Sequence, residues 1–292
     1  MRGHFIFVGA LRQQGPLHVN DLPQRGTERL IAWELGLVLV TAWLAFISIP
    51  IALGEIGISW DALNHHIYLG WTAEHQRFDQ DLFAASGQTF QYPYLYWPVY
   101  KLSQSGMSGM WAGVALATLN WLVVPPIWMI ARVCMPGRDA FAVVMRAAAV
   151  ALAFMTGVVL SMFDSTSNDL FAAIPFAWAL AFAMNAFRDA DNTRNALHMS
   201  VIYSGIFAGV SVAFKLSNGP LALLLPGLWM MTGCGVRRKA INFLMGCLAV
   251  IVGFLLAYGY WGWQLWSHFG SPIYPLYDYW FQPLRDWLGW KP

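Results

Sequence analysis

Ala213-Phe-Lys-Leu-Ser-Asn-Gly-Pro220 is the stretch on which the fold turns. Apolar residues run on both sides of it, from about 196 to 233, and Asn-Gly-Pro in their midst is a strong helix breaker. The break predicts two membrane helices, over 196–214 and 217–233, joined by a tight turn at Lys215. Outward from this point, further apolar runs lie near 30–53, 109–133, 141–162, 169–187 and 240–264. A span needs about 20 mainly apolar residues, so seven spans are expected. Pro125-Pro126 should kink the second helix without ending it.

Composition supports this class. The chain is 58% hydrophobic and 11% charged, whereas soluble domains carry about 25% charge. A net charge of +2, with no basic block longer than Arg237-Arg238-Lys239, argues against nucleic acid as a partner. Residues 1–29 are mixed and polar and lack a signal-peptide pattern, so the first apolar run is expected to remain as an anchor. Cys134, Cys234 and Cys247 show no paired spacing and predict neither a disulfide framework nor a metal site.

An odd number of spans places the two termini on opposite sides. Arg2, Arg12, Arg25, Arg29, Arg132, Arg138, Arg146, Arg188, Arg194, Arg237, Arg238 and Lys239 then share one side, which is twelve of seventeen basic residues. Positive residues stay in the cytoplasm, so that side is cytoplasmic. The outer side receives nine of the fifteen acids. It also receives every loop with interesting chemistry. The expected organisation is a cytoplasmic tail (1–29), a membrane module (30–264) with a long outer loop (54–108), and an outer Pro/aromatic segment (265–292).

Within that loop, Gly57-Ile-Ser-Trp-Asp-Ala-Leu-Asn-His-His-Ile-Tyr68 follows the first span directly. If Trp60 to Glu74 is helical, Asp61 and His65 stand at i and i+4 on one face, with His66 beside them. A carboxylate next to an imidazole is a general-base arrangement, and an interfacial helix with a polar face is the structural alternative. A second helical piece is expected around Asp81 to Ala85. Gln91-Tyr-Pro-Tyr-Leu-Tyr-Trp-Pro-Val-Tyr100 then suits the headgroup region, either as an aromatic belt or with Tyr92 and Tyr94 as a wall for a lipid chain or sugar ring. Asp79-Gln-Asp81 has the spacing at which two carboxylates share a divalent cation, and solvated loop acids give the same pattern.

Phe163-Asp-Ser-Thr-Ser-Asn-Asp169 joins the third and fourth spans. Ser167 or Asn168 can cap the fourth helix with Asp169 in its first turn, which leaves Asp164 as the functional candidate. Lys215, among apolar neighbours, either snorkels to the interface or meets a phosphate, with Ser217 and Asn218 completing the anion site. Glu34, one turn inside the cytoplasmic end of the first helix, is expected to pair with an arginine. In His268-Phe-Gly-Ser-Pro-Ile-Tyr-Pro-Leu-Tyr-Asp278, two prolines among aromatics predict an extended path at the interface.

In order and sidedness these elements resemble the integral-membrane GT-C glycosyltransferases, the superfamily of protein mannosyltransferases and aminoarabinose transferases. The likeness covers roughly 30–280. Asp61 stands where the family carries an acidic residue after its first helix, and the Tyr-Pro stretch looks like the one leading into the second. Gly209-Val-Ser-Val-Ala-Phe-Lys-Leu-Ser217 looks like a glycine-rich helix ending at a lysine. Phe269-Gly-Ser-Pro-Ile-Tyr-Pro275 is similar to a Gly-Asn-Pro-Phe-Pro-type segment, with Ser271 where Asn is usual.

The resemblance implies sugar transfer from a polyprenyl-phosphate donor at the periplasmic face of a bacterial inner membrane. Asp61 would be the base, His65 or His66 would orient it or contact phosphate, and Lys215 would hold the phosphate. Family members usually continue with more helices and often a soluble domain, whereas this sequence stops at Pro292. That departure implies a fragment, additional protein subunits, or a noncatalytic role. The rival reading is therefore a lipid-binding scaffold or noncatalytic subunit of a larger membrane complex. A transporter is disfavoured because no ionisable residue lies mid-membrane, and haem because no second histidine faces His65 or His66 at the same depth.

Overall fold

The computed structural model describes residues 21–189, 194–231 and 235–290. Arg2, Arg12, Cys234 and Lys291 lie outside the described residues, as do the other side chains of the basic tail. Apart from one isolated parallel bridge between Gly57 and Ser165, the described chain is helix and turn. Among the described residues five helices are long and apolar enough to cross a membrane: Trp33–Leu53, Gly109–Cys134, Asp169–Ala186, Leu197–Phe214 and Val236–Phe269. A bent pair, α6 (Ala140–Phe154) with α7 (Gly157–Ser161), makes a sixth if counted as one span. The protein is an all-α, multi-pass membrane protein.

The first span is the body of α1 (Asp21–Leu53). Only 11% of its apolar window is buried, so most of its surface is left for lipid. The second span is α4 (Gly109–Asn120) and α5 (Val124–Cys134), continuous through a 3-10 turn at Trp121–Val123. Pro125 and Pro126 sit in the first turn of α5, where a missing N–H costs least. α8 (Asp169–Asp189) packs on α9 (Arg194–Phe214) through the fully buried Ala179, Ala183 and Ala208. Small residues let two backbones come close enough for dispersion to hold them in lipid.

α9 and the 34-residue α12 (Val236–Phe269) run parallel. Gly205 faces Gly246 and Ala249, while Gly209, one turn on, faces Val250, Gly253 and Phe254. A Cβ on Gly209 would stand 2.1 Å from the Val250 carbonyl oxygen. Two parallel helices oblige the chain between them to travel back. That return is made by two short helices, α10 (Gly219–Ala222) and α11 (Leu225–Met230), each with a proline in its first turn. The single helix expected over 217–233 is therefore not formed, because Pro220 and Pro226 restart the helix twice. Trp229 pins the return, fully buried against Gly246 and donating its Nε1–H to Ser204 Oγ at 3.0 Å.

Segment 54–108 also differs from expectation. Its first helix is a π turn, Ala62–His66, continued by α2 (Ile67–Thr72). Residues 81–85 are turn, and the helical piece that follows is a single 3-10 turn, Ser86–Gln88. Trp97–Gln104 forms α3, with Pro98 in its first turn. We call the end of the bundle bearing this segment the loop face. After α12 the expected extended path is replaced by turns, because Gly270 takes a left-handed conformation (φ 65°) and reverses the chain. Ile273–Leu276 fold back over the loop face, and Tyr274 stacks on Phe269 with ring centroids 4.2 Å apart. The chain then closes with α13 (Gln282–Trp287), where Arg285 bonds Asp278 at 2.7 Å.

Near the opposite end, Glu34 and Arg146 are 3% and 2% exposed and pair at 2.7 Å. Trp128 Nε1–H donates to the same carboxylate at 2.9 Å, and Arg146 also donates to the Met135 and Gly137 carbonyls. The pairing expected of Glu34 is thus present, and it ties α1, α5 and α6 together.

Candidate functional site

The loop face gathers its polar groups from four distant segments. In the π turn the Ile67 N–H reaches back to the Ala62 carbonyl, and the extra residue in the turn brings consecutive side chains onto one side. His65 and His66 are consequently both buried, edge to face at 4.4 Å. Asp61 Oδ1 stands 3.8 Å from His65 Nδ1, and the carboxylate is half exposed. This is beyond a hydrogen bond, and the buried Nδ1 has no other partner. An approach of about 1 Å would make it a charge-assisted bond.

His66 Nδ1 shares a 2.7 Å hydrogen bond with Thr166 Oγ1, and its ring stacks on Tyr96 at 5.1 Å. Burial, reinforced by His65 and only partly opposed by Asp61 and Asp169, pulls the His66 imidazole down to about 4. His65 is lowered too, by burial first, with Asp61 opposing and Lys215 adding to the shift. Both rings are neutral near pH 7 and can accept a proton. Tyr96, buried and hydrogen-bonded to Asn168, is pushed up to about 12 by burial.

Lys215 leaves the end of α9 in an extended conformation and pairs with Asp169 at the start of α8. Both side chains are close to half exposed. Lys215 and Asp169 act electrostatically on His66, and Lys215 also acts on His65. Lys215 is a neighbour of the histidine pair through Tyr96, which stacks on His66 and borders the same opening as Lys215. Behind it opens a cleft of about 230 Å³ lined by Lys215, Ser217, Asn168, Tyr92, Tyr258 and the folded-back Tyr274-Pro275-Leu276. Tyr92 stacks between Phe214 and Tyr258 and donates its hydroxyl to the Ala257 carbonyl at 3.2 Å.

The structure thus brings Asp61, His65, His66, Lys215, Ser217 and Tyr92 to one region. Tyr94 packs edge-on to Tyr92 and is not part of the cleft lining. Asp164 does not join them. Its Oδ1 and its carbonyl oxygen both accept from the Gly57 N–H at 3.1 Å, which fastens the second loop to the first. Asp169, expected only to favour the dipole from the first turn of α8, is the carboxylate that pairs with Lys215. It does sit in the first turn of α8, and its carboxylate accepts from Ser167 Oγ at 3.0 Å. Asp81 accepts from the Tyr68 hydroxyl at 3.2 Å and pairs with Arg77 at 3.4 Å, while Asp79 is exposed. Among the described residues no group of three or more potential metal ligands occurs.

Thr166, Tyr96 and Tyr258 support the site and were not singled out from sequence. The hydroxyl-rich 165–167 run is the one signal that could have flagged Thr166. No protein-family model, curated protein or solved structure matches this chain.

Proposed function

We propose that the loop face is the site of a membrane glycosyltransferase of GT-C type that moves a sugar from a polyprenyl-phosphate donor to an acceptor hydroxyl. The observation that carries this reading is that the Asp61–His65–His66 group adjoins, through Tyr96 stacked on His66, the tyrosine-walled cleft that Lys215 lines from a segment 150 residues away in sequence. In this reading seven crossings place the loop face outside the cytoplasm, in the periplasm of a bacterium. The half-exposed Asp61 takes the acceptor proton. His65, neutral and with an unpartnered Nδ1, orients that carboxylate and steadies the proton it acquires.

Lys215 holds the donor phosphate as it leaves. Its present partner, Asp169, is a resident anion that the phosphate displaces, and Ser217 lies on the same cleft wall. The transfer needs only this positioning and charge stabilisation. Tyr92 and Tyr258 give a stacking surface of the kind a sugar ring uses.

A membrane-preparation transfer assay with radiolabelled polyprenyl-phosphate sugars tests the proposal. Asp61→Asn should lower transfer by at least about 100-fold with expression unchanged, and Lys215→Ala should lose donor saturation. Normal transfer in Asp61→Asn would overturn the assignment. One feature favours a noncatalytic subunit instead: Tyr277, Tyr279, Trp280 and Trp287 are 66–80% exposed on the terminal segment, a surface suited to a partner chain. On that reading Asp61→Asn is silent and loss of these aromatics is not.

A further inference from the structure

Past α12 the chain presents bare aromatic surface that the cleft does not use. Tyr277, Tyr279, Trp280 and Trp287 are exposed, yet they do not hang from a loose tail. Arg285 holds the Asp278 carboxylate with both Nη atoms, at 2.7 and 3.1 Å, and donates to the Gly270 carbonyl at 3.3 Å. Trp290 closes over Gly270 so tightly that a Cβ there would meet its ring at 2.6 Å. Residues 277–290 are thus a fixed platform, folded back against the end of α12.

We propose that this platform lies in the lipid headgroup layer on the loop-face side, as an interfacial anchor that holds the roof of the cleft. Exposed aromatics on the spans themselves mark that layer: Trp111 in the first turn of α4, and Tyr260 and Trp263 near the loop-face end of α12. Tryptophan and tyrosine concentrate at this depth of a membrane, where an apolar ring and a polar edge are both satisfied. Gly270 reverses the chain, and the returning Pro272 carbonyl comes to 3.4 Å from where a Cβ on Gly262 would stand. The returning chain therefore spans the levels of Gly262 to Gly270, beside Trp263, and its bare rings continue the aromatic surface of α12.

The charge on the platform also fits lipid. Asp278 and Arg285 neutralise one another, and Asp286 is the one further charge among residues 271–290. Nothing there selects an acidic or a basic partner, and the partner chain raised above becomes an outcome of the test. The roof follows from chain order: Ile273–Leu276 run from the end of α12 to the platform and line the cleft with Tyr92 and Tyr258. Fixing the platform in the interface fixes them, whether or not the cleft transfers sugar.

The test uses the full chain in phosphatidylcholine nanodiscs, its three cysteines replaced by serine, with a nitroxide at Tyr279→Cys or Trp287→Cys. Both sites are exposed, so neither change disturbs the core. Collision rates with oxygen and with a water-soluble nickel chelate give the depth of each label, which should be about 5–10 Å into the headgroup–acyl boundary. Mixing in phosphatidylglycerol should leave that depth unchanged. Full access of the nickel chelate at both sites would overturn the proposal. So would shielding from both reagents, the mark of a partner chain or a second copy. For the roof, the mobility of a nitroxide at Leu276→Cys should rise when Trp280→Ser and Trp287→Ser are combined, and unchanged mobility would overturn the claim that the anchor holds it.

Discussion

At the scale of single residues, burial decides which groups can do chemistry. His66 is 6% exposed and titrates near 4 instead of its ordinary 6.5. A depressed histidine value means that the unfolded chain takes up protons first, so stability is full above pH 6.5 and drains as the pH falls toward 4. The loss should reach on the order of 2 kcal/mol by about pH 5. Thermal unfolding of purified protein across that window should show the slope in the wild type and a much flatter one in His66→Gln. An equal slope in both would remove His66 as its origin. The buried Glu34–Arg146 pair makes the opposite kind of prediction. Arg146→Met strands a carboxylate in the bundle and should cost about 3–5 kcal/mol. Glu34→Gln combined with Arg146→Met should recover part of that, and a fully additive double variant would show that the two side chains do not act together.

Among the helices, α9 and α12 pack with no room for a side chain at Gly209. Gly209→Leu must push Val250 away and should destabilise by about 1–3 kcal/mol, whereas Gly36→Leu meets nothing within 4 Å and should be neutral. Denaturation in detergent compares the two, and equal effects would mean that the glycine seam does not set this packing. The long apolar runs that became α1, α8, α9 and α12 were legible because hydrophobic length alone defines a span. The 217–233 run was not, since its hydropathy is sufficient but Pro220 and Pro226 break it. In the site, the Asp61–His65 spacing was readable from helical periodicity. The sequence points to Asp164 and leaves Asp169 to the first turn of α8, because local capping rules see the start of α8 and cannot see Lys215 arriving from 46 residues later to pair with Asp169.

For the whole molecule, sidedness is the property on which the functional reading stands. The seven-span reading assigns twelve of the seventeen basic residues to the side opposite the 54–108 segment, so on that reading Ser105 and Arg138 lie on different sides of the membrane. With Cys134, Cys234 and Cys247 replaced by serine, Ser105→Cys should react with an impermeant maleimide in intact cells. Arg138→Cys should react only after permeabilisation, and labelling of both from one side would refute the topology.

The broken return between α9 and α12 has a consequence for how the chain is made. An insertion channel admits segments largely by their hydropathy and continuity, and two four-to-six-residue helices offer it a poor stop signal. Arg237-Arg238-Lys239 follow directly, and their retention on the ribosome's side would haul residues 215–231 across as α12 enters. Three charges remote from the chemistry would thus decide whether the wall bearing Tyr258 and Tyr274 is ever delivered to the face where Asp61 waits.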